Sequence, residues 1–168
     1  MRTAAGLALL ATLLGSLPGN ALARTTPDET PAVIGWVEQV TLTESALSLQ
    51  AKVDTGADVS SVHTDSLRYF SRDGSPWVEF MLRADDGRSR QMQQPVVRFA
   101  SIKLKTTGVQ RRPVVRLGVC VGDRYRVTEF NLSQRGAFTY PVLLGRSFLA
   151  GHYLVDPAAK YRQAPRCN

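Results

Sequence analysis

A chain of 168 residues that is 43% hydrophobic is long enough to bury the core of one domain and too short for several. Its formal net charge is +7, but the 21 lysines and arginines are dispersed, without a dense basic block interleaved with aromatic residues. The charge is typical of a solvated basic face and does not favour nucleic-acid binding; attraction to an anionic cell-envelope surface is a less specific alternative.

The first 23 residues have the pattern of a secretory signal peptide. Arg2 supplies a positive charge, residues 4–14 form an uncharged apolar run, and Ala21 and Ala23 place small residues where a signal peptidase reads them. We therefore predict cleavage after Ala23 and export, to the periplasm or out of the cell. The apolar run is short for a bilayer span, so a retained anchor is the weaker alternative.

The rest of the chain divides into a linker, one domain and a tail. Residues 24–32 are polar and proline-bearing, which predicts a linker; the domain is expected over 33–163 and the tail over 164–168. In an oxidising compartment, the even pair of cysteines, Cys120 and Cys167, favours a disulfide. Two free thiols are the alternative, because a sequence does not give the distance between two Cα atoms.

Apolar and β-branched runs predict an all-β domain, a closed or nearly closed barrel. Polar and apolar residues alternate over 46–53, which is the period of a strand with one buried face. Asp86-Gly87 and Gly122-Asp123 separate apolar runs and predict two hairpins. The predicted strands cover 33–42, 46–53, 59–63, 77–83, 92–100, 114–121, 125–132, 142–144 and 153–155, the last stopped by Asp156-Pro157, with one short helix over 145–150.

An Asp-Thr-Gly sequence follows directly after the alternating strand. Asp54 carries a carboxylate, Thr55 can hydrogen-bond to a copy of itself, and Gly56 allows a tight turn. Two such carboxylates a few ångströms apart cannot both ionise, so they share one proton. The ionised one then takes a proton from water, and the protonated one polarises a carbonyl. Taken alone, the three residues also fit an ordinary turn, in which Asp and Gly are common.

Two motifs in order resemble those of aspartic peptidases of the retropepsin type. The first is Val53-Asp54-Thr55-Gly56-Ala57, and the second is Leu143-Leu144-Gly145-Arg146. The chain is more closely similar to a bacterial retropepsin-like family whose members were formerly labelled ATP-dependent zinc proteases. That similarity also rests on Ala51-Lys52, Ser61-Val62-His63 and Leu154-Val155-Asp156-Pro157.

The resemblance implies an aspartic endopeptidase that hydrolyses a peptide or protein substrate without a cofactor. It implies Asp54 as the catalytic residue. Since only one Asp-Thr-Gly occurs, a second chain must supply the other aspartate, and an active homodimer is expected. Support of the active loop is implied for Thr55, Gly56, Ala57, Leu144, Gly145 and Arg146, and a flap for Asp85, Asp86, Gly87 and Arg88.

Two other classes of function compete with this interpretation. A non-catalytic module of the same fold, binding peptides or assisting a cell-envelope system, is the main alternative, because a fold does not imply a function. A metal-dependent hydrolase is disfavoured, since the only histidines are His63 and His152 and no His-Glu-x-x-His sequence occurs. No metal is therefore predicted, and ATP is unsupported because there is no phosphate-binding loop of the P-loop type.

Overall fold

The computed structural model describes residues 30–104, 108–134 and 139–167, so the predicted leader and residues 24–29 lie outside it. None of the helical structure in the described residues is long and apolar enough to cross a membrane. The described elements are the strands β1 Ala32–Leu42, β2 Leu47–Val53, β3 Ser60–His63, β4 Leu67–Arg72, β5 Ser75–Arg83, β6 Ser89–Pro95, β7 Arg98–Leu104, β8 Gly108–Val121, β9 Arg124–Ser133 and β10 Val142–Leu144, the helix α1 Arg146–Leu149, and the strand β11 Tyr153–Lys160.

Eight strands form the main sheet, in the order β11-β1-β2-β10-β3-β9-β8-β7. The sheet curls so far that the end of β1 also reaches β8, where Thr41 pairs with Cys120 and Leu42 with Val119. The alternating run predicted for β2 buries every second residue, as a strand with one core-facing side requires. The all-β class expected from the sequence is confirmed, and so is the short helix after residue 145.

A second, three-stranded sheet, β4-β5-β6, packs beside the main one. Val78, Phe80 and Leu82 alternate along β5 and are completely buried in the shared hydrophobic core. At the C-terminal end of β5, Arg83 forms an ion pair of 2.8 Å with Asp65, just after β3. The sheet is therefore anchored to the strand that follows the Asp-Thr-Gly loop.

The prediction of a single strand over 92–100 is wrong. Strand β6 ends at Pro95 and β7 begins at Arg98, and the two belong to different sheets. The N–H of Val96 donates to Pro76 of β5, whereas the N–H of Val97 donates to Val114 of β8. Val96 and Val97 at the crossover are both apolar and β-branched, so the local sequence does not mark the change of sheet.

The expected stop of the last strand at Asp156-Pro157 is also wrong, because β11 continues to Lys160. Strand β11 lies at the edge of the sheet, where a proline lacking its N–H costs no ladder bond. Its register against β1 shifts between the pairs Gly35–Asp156 and Val37–Lys160, which leaves a bulge. A Cβ at Gly35 would lie only 2.9 Å from the backbone of Lys160, so the bulge requires glycine there.

Two fixed points hold the C-terminal tail against the sheet. Cys120 and Cys167 form a disulfide, with their Cα atoms 5.9 Å apart, which resolves the alternative left open by the sequence. Glu38 is completely buried, and its carboxylate accepts hydrogen bonds from the N–H groups of Gly35 and of residues 162–163. A buried carboxylate needs such donors, so residues 162–163 satisfy a polar group inside the sheet.

Candidate active site

Asp54 stands at the end of β2, on a loop that holds its carboxylate in one orientation. Its Oδ1 accepts the N–H of Gly56 at 2.9 Å and that of Ala57 at 3.2 Å. Its own N–H donates to the carbonyl of Leu144 on β10 at 2.9 Å. The side chain of Asp54 is 28% exposed. One carboxylate oxygen is thus fixed by two backbone N–H groups, and the carboxyl group stays partly exposed.

The segment predicted to support the loop lies directly against it. A Cβ at Gly145 would lie 2.8 Å from the backbone of Val59, so only glycine allows this approach. The N–H of Arg146 donates to the carbonyl of Ala57 at 2.9 Å, and Ser147 makes an equivalent bond one residue further along. The structure therefore brings the two motifs of the sequence together as one unit.

The side chain of Arg146 donates hydrogen bonds to carbonyl groups of the Asp54 loop. Its Nη1 donates to the carbonyls of Thr55 and Gly56 at 3.0 and 2.9 Å, and its Nη2 donates to Asp58 Oδ1 at 2.8 Å. The planar guanidinium suits such a fork of acceptors better than an ammonium would. Asp58 was not expected to have a role, yet it helps to hold Arg146, the side chain that donates to the loop carbonyls.

Lys52 is the second residue that the motif analysis missed. Its Nζ lies 3.9 Å from Asp54 Oδ2, on a side chain that is half exposed. The sequence could have indicated this neighbour, because Lys52 and Asp54 are two residues apart and such residues on a strand point to the same face. Lys52 thus places a positive charge beside the catalytic candidate.

Lys52 also borders a cavity of about 360 Å³, which we call the Lys52 cavity. Its walls are mostly apolar, but the hydroxyl of Ser133 is buried there without a hydrogen-bond partner among the described residues. A partly apolar cavity with a few polar groups is the usual form of a ligand pocket. The lining residues are Trp36, Lys52, Ser61, His63, Ser133, Thr139, Tyr140, Pro141, Val142 and Leu143.

The predicted flap residues form the hairpin turn between β5 and β6, with Gly87 at a φ of 84°. Arg88 donates from its N–H and its guanidinium to the carboxylate of Asp86, and these bonds, the backbone one first, lower the pKa of Asp86. This stabilisation of the turn is therefore present at neutral pH and is lost as the pH falls through the lowered pKa. Asp85 and Arg88 are exposed at the tip. Their role as a flap stays a prediction.

The two histidines and two cysteines of the chain are not gathered in one place. Cys120 and Cys167 are joined in the disulfide, so neither offers a thiolate. His63 lies in the Lys52 cavity with Asp65 at 3.6 Å, while His152 follows α1. Within the described parts of the chain, no three His, Cys, Asp or Glu side chains stand close enough to hold a metal ion together.

Comparison with known proteins gives two kinds of relative. Curated proteins named probable alpha-L-glutamate ligase match from Desulfotalea psychrophila, at 32% identity over 130 residues, and from Shewanella halifaxensis, at 30% over 117. The matches cover 75% and 68% of this chain but only 28% and 26% of those relatives. Because the chain spans about a quarter of their length, the ligase activity in their name is not carried over to it.

A solved structure and a protein family also match this chain. The crystal structure of Lpg0085, a Legionella pneumophila protein of unknown function, is 33% identical with a TM-score of 0.67, and the match covers 78% of this chain and 97% of that one. The family described as retropepsin-like aspartic endopeptidase RimB matches residues 33–166. That stretch contains both motifs and nearly all of the described residues, so the chain belongs to the RimB-like family of retropepsin-like aspartic endopeptidases.

Proposed function

We propose that the protein is an aspartic endopeptidase in which the Asp54 carboxylates of two chains activate one water molecule. The observation that carries the proposal is the Asp54 loop itself. A strand with one buried face delivers a partly exposed carboxylate, two backbone N–H groups fix one of its oxygens, and the family is one of aspartic endopeptidases. The non-catalytic binding module needs none of this orientation.

In the proposed reaction, the two aspartates carry out all of the proton transfers. The ionised carboxylate takes a proton from the water while the water oxygen bonds to the scissile carbonyl carbon. The protonated carboxyl group gives its proton to the carbonyl oxygen. The C–N bond of the tetrahedral adduct then breaks: the amine leaves with a proton from the first carboxyl group, and the second carboxylate takes a proton from one hydroxyl group of the adduct. The products are a carboxylic acid and an amine, and the pair again shares one proton.

The second chain is required because the sequence holds only one Asp-Thr-Gly. The side chain of Thr55 is exposed in the single chain, where the matching loop of a partner could meet it. The contact between β1 and β8 supports a closed barrel in each chain. Two such barrels would associate in the proposed dimer. Sedimentation equilibrium tests the dimer, and a strict monomer that cleaves peptide would rule it out.

Incubation of the purified protein with a diverse peptide mixture, from acid to neutral pH, tests the peptidase proposal. We expect new termini to appear with and without a metal chelator, because the mechanism uses only carboxylates and water. Cleavage that the chelator stops would instead indicate a metal-dependent hydrolase. A folded dimer that cleaves nothing would favour the binding module.

The Lys52 cavity suggests the class of substrate. A lysine beside Asp54 and a buried Ser133 hydroxyl with an unused donor both suit a carboxylate, and the curated relatives are named for glutamate. We therefore propose that the enzyme prefers peptides with an acidic side chain next to the scissile bond. The ammonium would attract that carboxylate, and the hydroxyl would donate to it.

Substitution of Lys52 tests this preference. For matched peptides with Glu or Gln beside the cleaved bond, we expect Lys52→Met to lower the Glu-over-Gln ratio of kcat/KM by about tenfold, the effect of one partly exposed charge-assisted hydrogen bond. Lys52→Arg keeps the charge and should retain the preference. Lys103→Met, which removes an exposed lysine from β7, is the control and should leave the ratio unchanged. An unaltered ratio in Lys52→Met would contradict the assignment.

We also propose export through cleavage of the predicted leader. A disulfide is typical of proteins in oxidising compartments, and Cys120–Cys167 supports this location. The N-terminal residue of the protein recovered from the producing cell tests the proposal, since cleavage after Ala23 leaves Arg24 as the first residue.

A further inference from the structure

A series of buried polar contacts leads from β8 towards the Asp54 loop. Arg112, on β8, is 6% exposed, and its Nη1 donates to Asn131 Oδ1 on β9 at 3.3 Å. Asn131 is equally buried, and its Nδ2 donates to the carbonyl of Ser60 on β3 at 2.9 Å. Buried polar groups need such partners, so the contacts fix the orientation of the Asn131 amide.

Ser60 connects these contacts to the segment that supports Asp54. It is completely buried, and its Oγ accepts the N–H of Gly145 at 3.1 Å. Gly145 touches the backbone of the loop, and the carbonyl of the preceding residue, Leu144, accepts the N–H of Asp54. A displacement of Ser60 would therefore move the segment that sets the position of Asp54.

The chemistry of these residues is unusual for the place where they lie. Asn131 stands between the core residues Phe130 and Leu132 along β9, so it and Arg112 lie on the face of the sheet opposite the hydrophobic core. Both side chains are buried there nonetheless. Apolar side chains would fill that space without a desolvation cost, whereas an amide between two partners fixes direction as well as distance. The arrangement holds β3, β8 and β9 in one relative position next to the Asp54 loop.

We propose that Asn131, held by Arg112, is a positioning residue for the Asp54 carboxylate. It acts through Ser60 and Gly145 and does not touch the reacting atoms. Its effect on turnover rests on the proposed peptidase function, but its effect on the geometry of the loop does not. The amide hydrogens of Gly56 and Ala57, which bind Asp54 Oδ1, report that geometry directly.

The decisive variant is Asn131→Asp, which keeps the shape and the acceptor for Arg112 but lacks the Nδ2 donor to Ser60. By NMR, we expect solvent exchange of the Gly56 and Ala57 amide hydrogens to be about tenfold faster, because the opening of the loop becomes easier. On a cleaved peptide, we expect kcat to fall by about tenfold to a hundredfold with KM nearly unchanged, the signature of a misplaced catalytic group.

A second variant and a control separate positioning from general stability. Arg112→Lys keeps the charge but lacks the guanidinium fork, and it should accelerate the same amide hydrogens to a smaller extent. Ser45→Ala removes a buried hydroxyl that binds the turn at the opposite end of β2, and it should leave Gly56 and Ala57 unaffected.

Two results would overturn the proposal. One is unchanged exchange at Gly56 and Ala57 in both Asn131→Asp and Arg112→Lys. The other is an equal acceleration in Ser45→Ala, which would reflect lost stability alone. If the wild-type protein cleaves no peptide, the exchange rates still decide whether Asn131 positions the loop, and the peptidase proposal fails by itself.

Discussion

Asp54→Asn is expected to abolish peptide cleavage while leaving the fold intact. An asparagine keeps an oxygen that can accept the N–H groups of Gly56 and Ala57, so the loop retains its shape. It cannot ionise, so it can neither take the proton of the water nor share one with its twin. General acid–base catalysis alone contributes about 10²- to 10⁴-fold, and we expect kcat to fall by at least that much.

Asp123→Asn is the matched control for this result, since Asp123 is exposed in the turn between β8 and β9. It should cleave at the wild-type rate and unfold at the same temperature. Residual cleavage within tenfold of wild type in folded Asp54→Asn would show that another group carries the chemistry, and the assignment of Asp54 would be withdrawn.

Removal of the disulfide is expected to have the largest effect on stability. Cys120 and Cys167 are separated by 47 residues, and opening a loop of that size releases about 4 kcal/mol of unfolded-state entropy by the chain-entropy model. For a domain of this length, that loss lowers Tm by roughly 10–15 °C. The variant Cys167→Ser is preferred, because the remaining Cys120 is buried and behaves as a small hydrophobic residue.

Calorimetry of Cys167→Ser beside the wild-type protein, each with and without a reductant, measures this effect. The reductant should lower the Tm of the wild type to that of the variant and leave the variant unchanged. A variant within about 1 kcal/mol of the wild type would mean that the contacts of Glu38 hold the tail unaided, a result within the known spread of disulfide effects.

The sequence predicted those elements whose local pattern decides their structure. The alternation over 46–53 became β2, the Asp-Gly pair at 86–87 became a hairpin turn, and the Gly145 motif opened α1. Strand β4 was not predicted, because its residues are mostly exposed and do not alternate. The crossover at Val96–Val97 was missed because both residues are apolar and β-branched, so the local pattern does not mark where the chain leaves one sheet for the other.

The candidate site was only partly predictable, for a different reason. Asp54 and Gly145 belong to motifs that can be read along the chain, and Lys52 could have been inferred from its place two residues before Asp54. Asn131 could not, because its partners, Arg112 and Ser60, are 19 and 71 residues away. Only the register of β3, β8 and β9 brings these three residues together.

A subunit-mixing experiment tests the central claim most directly, that two Asp54 residues make one site. Wild-type and Asp54→Asn chains are combined in equal amounts, allowed to exchange partners fully, and assayed at the same total concentration as wild type alone. If each site needs an aspartate from both chains, only about one quarter of the dimers are active, and cleavage falls to about 25% of the wild-type rate. A rate of about half or more would mean that a single Asp54 suffices and would contradict the shared site.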